Sequence, residues 1–222
     1  MPFDHAIRDE AGLRRIYREP RPVVRRKAID HIDEGARAFI ATSPFVVVST
    51  AGPGGVDASP RGGPPGFVAV LDDHRLAIGD LAGNNRLDSF GNLVANPGVG
   101  LLFLVPGLGE TLRVNGRATL TDDPAVLDAC PIDGTRPRVA LGVDVEECFV
   151  HCAKAFRRSR LWDPATWPAD DETPSAAAVL KGHMQIDAPV EAIEADLEES
   201  YRTTLWEPGG DDGRSTAGAV SG

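Results

Sequence analysis

Apolar and polar residues alternate through the middle of the chain, and this pattern predicts β-strands. The clearest example is 111–120, where apolar or small residues occupy every second position. Shorter strand patterns cover 45–50, 56–59, 67–71, 76–79, 99–105, 139–143 and 147–152. Of these, 99–105 is apolar on both faces, which is typical of a strand that is covered on both sides.

Helical spacing is confined to shorter stretches that flank the strands. Apolar residues recur at helical intervals over 29–40, and Ser43-Pro44 ends that helix. A second helix is predicted to start at 84–86, with Asn85 as its cap, and to end before Pro97. Further helices are predicted after Asp123-Pro124 and over 154–162, 176–181 and 189–206.

These elements predict a mainly β fold with peripheral helices, built as a small antiparallel barrel. A parallel α/β fold is the weaker alternative, because helices do not alternate with the strands. Four regions are expected along the chain. They are an Arg-rich arm (1–28), the barrel (29–162), a linker with acidic helices packed on the barrel (163–206) and a disordered tail (207–222).

Composition narrows the possible functions. The net charge is −10, and 13 acidic but only 3 basic residues lie from residue 163 onward, whereas the first 162 residues hold 20 of each. This distribution lacks the basic footprint of a nucleic-acid-binding protein. No apolar run approaches the ~20 residues of a membrane-spanning helix. The charged N-terminus does not resemble a secretory signal, and three cysteines are too few for a disulfide framework, so a cytoplasmic protein is expected.

Two segments carry candidate chemistry. In 79–97 a strand, a Gly-containing turn and a helix start follow one another, with Arg86 beside the helix start. Free N–H groups and a guanidinium at such a place can bind phosphate, although a plain capped helix with a solvated Arg is the alternative. In 57–66 Arg61 is surrounded by glycines and prolines, which allow a ligand to approach the backbone closely, as a simple solvent loop also would.

Cysteine and histidine give no convincing metal site. Cys148 and Cys152 are four residues apart on a predicted strand, about 13 Å between them, which is too far for one ion. His151 would face the opposite side of that strand. Structural cysteines are therefore expected, and no metal is predicted.

The order of the motifs resembles the pyridoxamine 5′-phosphate oxidase-like family of FMN-binding split barrels. GNNRLDS is followed by an N-P-x-VGLLF pattern and then by GETLRVNGRA. The resemblance spans roughly 35–160, and it is strongest to a bacterial subfamily whose substrate is not established. It implies an antiparallel split barrel and a homodimer with one FMN in each of two clefts between the subunits.

The resemblance also implies which residues hold the cofactor. Arg61, with Gly62 beside it, and the 84–86 run of Asn84, Asn85 and Arg86 would hold the FMN phosphate. Ser59 and Pro60 would line the flavin, and Ile78 and Gly79 would pass beneath its ring. Residues that would approach the flavin across the dimer are Thr111, Arg113, Arg157, Arg160 and Trp162. No catalytic residue is assigned.

The chain departs from true pyridoxamine phosphate oxidases at the same motifs. Those enzymes carry a Ser-Arg-Lys run where this chain has Asn84-Asn85-Arg86, and their C-terminal substrate motif is not recognisable here. Vitamin B6 oxidation is therefore not predicted. The expected function is an FMN-dependent oxidoreductase acting on a small molecule. The alternatives are a flavin-binding or storage protein without turnover and an F420-dependent reductase of the same fold.

Overall fold

A computed structural model describes residues 4–210. The strands are β1 (Phe45–Gly52), β2 (Gly55–Gly62), β3 (Val68–Val70), β4 (Arg75–Gly79), β5 (Gly98–Leu104), β6 (Thr111–Thr121) and β7 (Ala140–His151). The helices are α1 (Glu10–Arg14), α2 (Pro22–Arg26), α3 (Glu34–Thr42), α4 (Asp88–Ala95), α5 (Pro124–Ala129), α6 (Lys154–Ser159), α7 (Ala176–Met184) and α8 (Val190–Thr204). Short 3-10 turns at Pro164–Thr166 and Asp170–Glu172 lie between α6 and α7.

All seven strands belong to one sheet, in the order β2-β1-β5-β6-β7-β4-β3, and each pair is antiparallel. The sheet curls into a half-barrel, so the predicted mainly β, antiparallel split-barrel fold is confirmed. Alternate residues of the long central strands form the core. Phe103, Leu101, Leu112 and Val114 are each at most 2% exposed. Ile40 of α3 joins the same cluster.

The last strand differs from the prediction. The sequence pattern separates 139–143 from 147–152, but β7 runs unbroken as Ala140–His151. Its register against β6 shifts between Asn115 and Gly116, so that one extra residue of β7 is accommodated there. A side chain at Gly116 would clash with the carbonyl oxygen of Asp144. The bulge therefore depends on a glycine, and it conceals the continuity of the strand from a strict period-two pattern.

Strand β5 also differs from the expectation of burial on both faces. Val99, Leu101 and Phe103 are buried in the core, whereas Leu102 and Leu104 on the opposite face are only half-buried. In the single chain, this face of β5 is therefore less buried than its apolar composition predicts.

The C-terminal region leaves the barrel and then returns to it. Helices α7 and α8 pack mainly on each other, with Ala177 and Ile193 buried between them. The tail predicted to be disordered from residue 207 is ordered at its start, because 207–210 makes backbone hydrogen bonds to the chain that follows β4. The remainder of that predicted tail, 211–222, lies outside the described residues.

Candidate functional site

Two distant segments of the chain meet around a cavity of about 250 Å³. One is the end of β2, and the other is the loop between β4 and α4 together with the first turn of α4. Six of the predicted cofactor residues line this cavity: Ser59, Pro60, Arg61, Asn84, Asn85 and Arg86. The structure therefore brings together the two segments that the sequence marked separately.

Arg61 is the most available cation of the cavity. Its Nη1 donates to Ser59 Oγ at 3.1 Å and to the carbonyl oxygen of Pro60 at 3.3 Å. Its guanidinium lies 5.9 Å from the centre of the Phe90 ring. Within residues 4–210, no carboxylate lies within the 4.0 Å of an ion pair with Arg61. Its remaining donors can therefore serve a ligand.

The loop before α4 corrects the predicted helix start. Helix α4 begins at Asp88, not at 84–86, and Asn85 does not cap it. The side chain of Asn84 accepts from the N–H of Arg86 at 3.1 Å, which closes a turn in place of a helical turn. Asn85 and Leu87 adopt left-handed backbone conformations, with φ of 55° and 58°. Asn tolerates this conformation better than most residues, so the Asn-Asn pair indicates a turn here.

Arg86 is less available than Arg61. Its Nε lies 2.7 Å from Asp88 Oδ2, and the two side chains are 72% and 49% exposed. An exposed pair of this kind contributes only ~0–1 kcal/mol. A ligand with a stronger negative charge can therefore compete with Asp88 for this guanidinium at little cost.

Three carboxylates also line the cavity, and none of them is among the predicted cofactor residues. Asp57 accepts a hydrogen bond from Ser89 Oγ, and Asp88 pairs with Arg86. Asp80 follows directly after β4, and burial raises the pKa of its carboxyl, while the positive charge of Arg61 opposes the rise. The sequence did contain a signal that Asp80 belongs to the candidate site, since it is a charged residue at the end of an apolar strand pattern that leads into a Gly-containing turn.

Two further predicted residues, Thr111 and Arg113, line another cavity, of about 400 Å³. His151, Cys152 and Phe156 also line it. The Phe156 ring stacks on Trp162 with centroids 5.5 Å apart, and the Trp162 indole donates to the carbonyl oxygen of Leu108 at 2.9 Å. The two cavities have no lining residue in common. Within one chain, the residues predicted to reach across a dimer are thus separate from the Arg61 cavity.

The remaining predicted residues line neither cavity. Ile78 is 2% exposed in the core, and Gly79 packs closely on Cys130 and Pro137. Gly62 is exposed at the end of β2. Arg157 is exposed on α6, and Arg160 pairs with Asp163 at 2.6 Å. Their roles toward a cofactor stay predictions.

Cysteine chemistry lies away from the Arg61 cavity. Cys148 is buried, and burial together with the negative charge of Asp33 raises its pKa to about 11. Cys152 is exposed. Among residues 4–210, no group of three or more His, Cys, Asp or Glu side chains is arranged to hold a metal ion. No helix in this part of the chain is long and apolar enough to span a membrane.

A family model described as pyridoxamine 5′-phosphate oxidase matches residues 32–152, more than half of the chain. The chain belongs to the pyridoxamine 5′-phosphate oxidase family. The match begins just before α3 and ends just after β7, so it covers the barrel and the Arg61 cavity and excludes α6–α8.

Solved structures of several proteins are similar to about half of this chain. A single-substitution variant of HupZ from Group A Streptococcus is 16% identical, with a TM-score of 0.44, and the match covers 54% of this chain and 99% of that one. A putative pyridoxamine 5′-phosphate oxidase from Lactobacillus delbrueckii is 18% identical, with a TM-score of 0.42 and coverage of 55% and 95%. An FMN-binding protein from Syntrophomonas wolfei is 12% identical, with a TM-score of 0.41 and coverage of 54% and 85%. A comparison with curated proteins gives no match.

Proposed function

We propose that this member of the pyridoxamine 5′-phosphate oxidase family binds FMN and uses it as an oxidoreductase acting on a small molecule. One observation carries the proposal. Arg61, a cation without a carboxylate partner among the described residues, shares a cavity with the amide-rich Asn84–Arg86 loop, although 23 to 25 positions of sequence separate them. This convergence lies inside the part of the chain that the family model matches.

The donors of the cavity suit a phosphate monoester. Arg61 offers a planar fork of N–H donors, which matches phosphate oxygens in pairs. The Ser59 hydroxyl and the side-chain amides of Asn84 and Asn85 line the same space. Gly83 adds no steric barrier, since a Cβ there would have no neighbour within 4 Å. We assign Ser59, Arg61, Asn84, Asn85 and Arg86 to the phosphate and ribityl end of FMN.

The carboxylates of the cavity help to select the ligand. Asp57, Asp80 and Asp88 line the cavity, and their carboxylates can accept hydrogen bonds from a ligand but repel a second anion. A ligand that presents one phosphate to Arg61 and hydroxyl or N–H donors to these carboxylates satisfies both halves of the lining. FMN has this combination of groups.

We also propose that two copies of the chain complete each site. A cavity of about 250 Å³ falls short of the ~300–1,000 Å³ of common small-molecule pockets. The outer face of the sheet is half-buried and partly apolar, with Val47, Leu102, Arg113 and Phe149 aligned across β1, β5, β6 and β7. Association through this face would cover it. In that arrangement Thr111, Arg113, Arg157, Arg160 and Trp162 of a second copy would approach the flavin.

Bound FMN would supply two-electron transfer to or from the small molecule, which is chemistry of the cofactor and not of a side chain. The chain's own residues would bind FMN and orient it. Arg61 fixes the phosphate end, and the stacked Phe156–Trp162 pair offers an apolar surface beside the second cavity. The barrel, 29–162, would hold these residues, and 163–206 would support it from outside.

The experiment is an FMN titration of the purified chain, followed by flavin absorbance and fluorescence. We expect saturable binding of one FMN per chain, severe loss with Arg61→Ala, and no change with Arg202→Ala, whose guanidinium pairs only with Glu199 on α8 among the described residues. Absence of FMN binding, or equal binding by Arg61→Ala, would overturn the proposal. Preference for F420 over FMN would replace the cofactor but keep the site.

Turnover is tested separately with the loaded protein. Reduction of bound FMN by NADH or NADPH, and its reoxidation by oxygen or an added acceptor, would support an oxidoreductase. Tight binding without any reduction would instead support the flavin-binding or storage alternative.

A further inference from the structure

The C-terminal residues 206–210 form a short segment that we call the strap. The strap runs antiparallel to the chain after β4, with Leu81 and Pro208 as a bridge pair. The N–H of Ala82 donates to the carbonyl oxygen of Glu207 at 2.8 Å, and the N–H of Gly209 donates to the carbonyl oxygen of Asp80 at 3.1 Å. Asp80, Leu81 and Ala82 are the part of the Arg61 cavity that this pairing holds.

Both ends of the strap are fixed to the barrel. The Thr135 hydroxyl donates to the carbonyl oxygen of Trp206 at 2.8 Å. The Arg138 guanidinium donates to the carbonyl oxygen of Gly210 at 2.8 Å. Both donors belong to the segment between α5 and β7, whose Val139 accepts from the N–H of Asp80 at 2.9 Å. Asp80 therefore lies between two backbone partners, one from the barrel and one from the strap.

The contact between strap and cavity wall requires a glycine. A Cβ at residue 209 would clash with Asp80 Oδ2, and it would lie 2.9 Å from Asp80 Cγ and 3.1 Å from the carbonyl oxygen of Leu81. The contacts with Asp80 are shorter than real Cβ atoms show, so a larger residue at 209 must displace the Asp80 carboxylate or the strap. Gly209 is itself buried. The side chain of Asp80 thus packs against Gly209 of the strap, and Asp80 also lines the cavity.

We propose that the strap positions the Asp80–Ala82 wall of the Arg61 cavity for ligand binding. The proposal rests on the proposed function in naming FMN as the ligand. It assigns Gly209 as a positioning residue that acts through Asp80.

The test compares Gly209→Ala with Gly182→Ala in the full chain. Gly182 lies on α7, and a Cβ there meets nothing within 4 Å, so this variant is the matched control. We expect Gly209→Ala to speed amide hydrogen exchange at 80–83 in the absence of ligand. We also expect it to weaken FMN binding roughly tenfold while the melting temperature falls by only a few degrees. The control should change neither exchange nor affinity.

Thr135→Val provides a second, milder perturbation, because it removes one anchor of the strap and does not touch the cavity. It should weaken FMN binding less than Gly209→Ala and keeps the test valid if that variant does not fold. Unchanged FMN affinity in both variants, with or without faster exchange, would overturn the proposal. If the wild-type chain binds no FMN, the proposed function fails. In that case, unchanged amide exchange at 80–83 in Gly209→Ala would overturn the role of the strap as well. Faster exchange there would support that role.

Discussion

Gly52 at the end of β1 lies directly against Asn92 of α4. A Cβ at Gly52 would lie 2.5 Å from Asn92 Oδ1 and 2.8 Å from Asn92 Cα. The Asn92 amide also donates to Thr50 Oγ1 at 3.2 Å in a buried setting. These contacts set the position of α4 on the sheet, and the first turn of α4 carries Asp88, Ser89 and Phe90 into the Arg61 cavity.

Gly52→Ala should therefore destabilise the fold by about 1–3 kcal/mol, the usual cost of overpacking a close contact. The clash involves the α4 backbone, which cannot rotate away as a flexible side chain can. Gly91→Ala on the same helix is the control, since a Cβ there meets nothing within 4 Å. It should stabilise the chain by ~0.5–1 kcal/mol through helix propensity. Chemical denaturation of both variants measures the difference, and equal stabilities would contradict this account of α4.

The sequence was sufficient for most of the strand pattern and for the segments of the candidate site, but not for the continuity of β7 or for two further details. The start of α4 was misplaced because the Asn84 side chain competes with the helix for the N–H of Arg86, and periodicity does not register that competition. The role of 207–210 was missed because this segment has almost no apolar residue. Its order comes from backbone pairing with Asp80 and Ala82, which are distant in sequence.

Arg61 and Arg86 should differ in their importance for phosphate binding. Arg61→Ala should weaken FMN binding by about 1.5–3 kcal/mol, the range for a hydrogen bond to a charged group. Arg86→Ala should cost less, because Arg86 must first be released from Asp88. Isothermal titration at two salt concentrations would measure both effects. A larger loss with Arg86→Ala than with Arg61→Ala would reverse the assignment.

Asp80 predicts a pH effect on stability with a definite sign. Burial raises its folded-state pKa above the ordinary 3.8. The folded state then holds the Asp80 proton more tightly than the unfolded state does. The contribution of Asp80 to the free energy of unfolding is therefore most favourable below the ordinary pKa, and it is lost as pH rises through the raised pKa. Asp80→Asn should therefore stabilise the chain at neutral pH, and the gain should shrink as pH is lowered to about 4.

The same substitution should weaken FMN binding, because a neutral amide is a weaker acceptor than a carboxylate for the hydroxyl and N–H donors of the ligand. Asp128→Asn is the control, since Asp128 lies in an exposed pair with Arg136 away from the cavity. Thermal melts across the pH range and FMN titrations at neutral pH measure the two effects. A destabilised Asp80→Asn at neutral pH would show that the carboxylate is favourably paired in solution.

Association through the outer face of the sheet can be tested at Leu102, which lies opposite Val47 on β1 and Arg113 on β6. Leu102→Asp should weaken the dimer by at least about 2 kcal/mol, as expected for a charge placed in the centre of an interface. FMN binding should weaken with it, since each site would lose its second copy. Val56→Asp is the control, because Val56 is 88% exposed at the β1–β2 turn. A monomeric wild-type chain that binds FMN in sedimentation velocity would contradict the proposed dimer.

The three cysteines should react in a fixed order with a thiol-alkylating reagent. Alkylation requires the thiolate and access of the reagent. Cys148 is 1% exposed and its pKa is raised to about 11, and burial also raises the pKa of Cys130. Cys152 is exposed on the rim of the second cavity, so it should be modified in the native protein while the other two react only after unfolding. Peptide mass mapping after limited iodoacetamide treatment measures this order.

If the outer face forms the dimer, association should slow the reaction at Cys152, and the Leu102→Asp variant should restore the rate. Rapid native modification of Cys148 would instead mean that β7 separates from Ile29, with which Cys148 exchanges backbone hydrogen bonds at 2.7 and 3.0 Å.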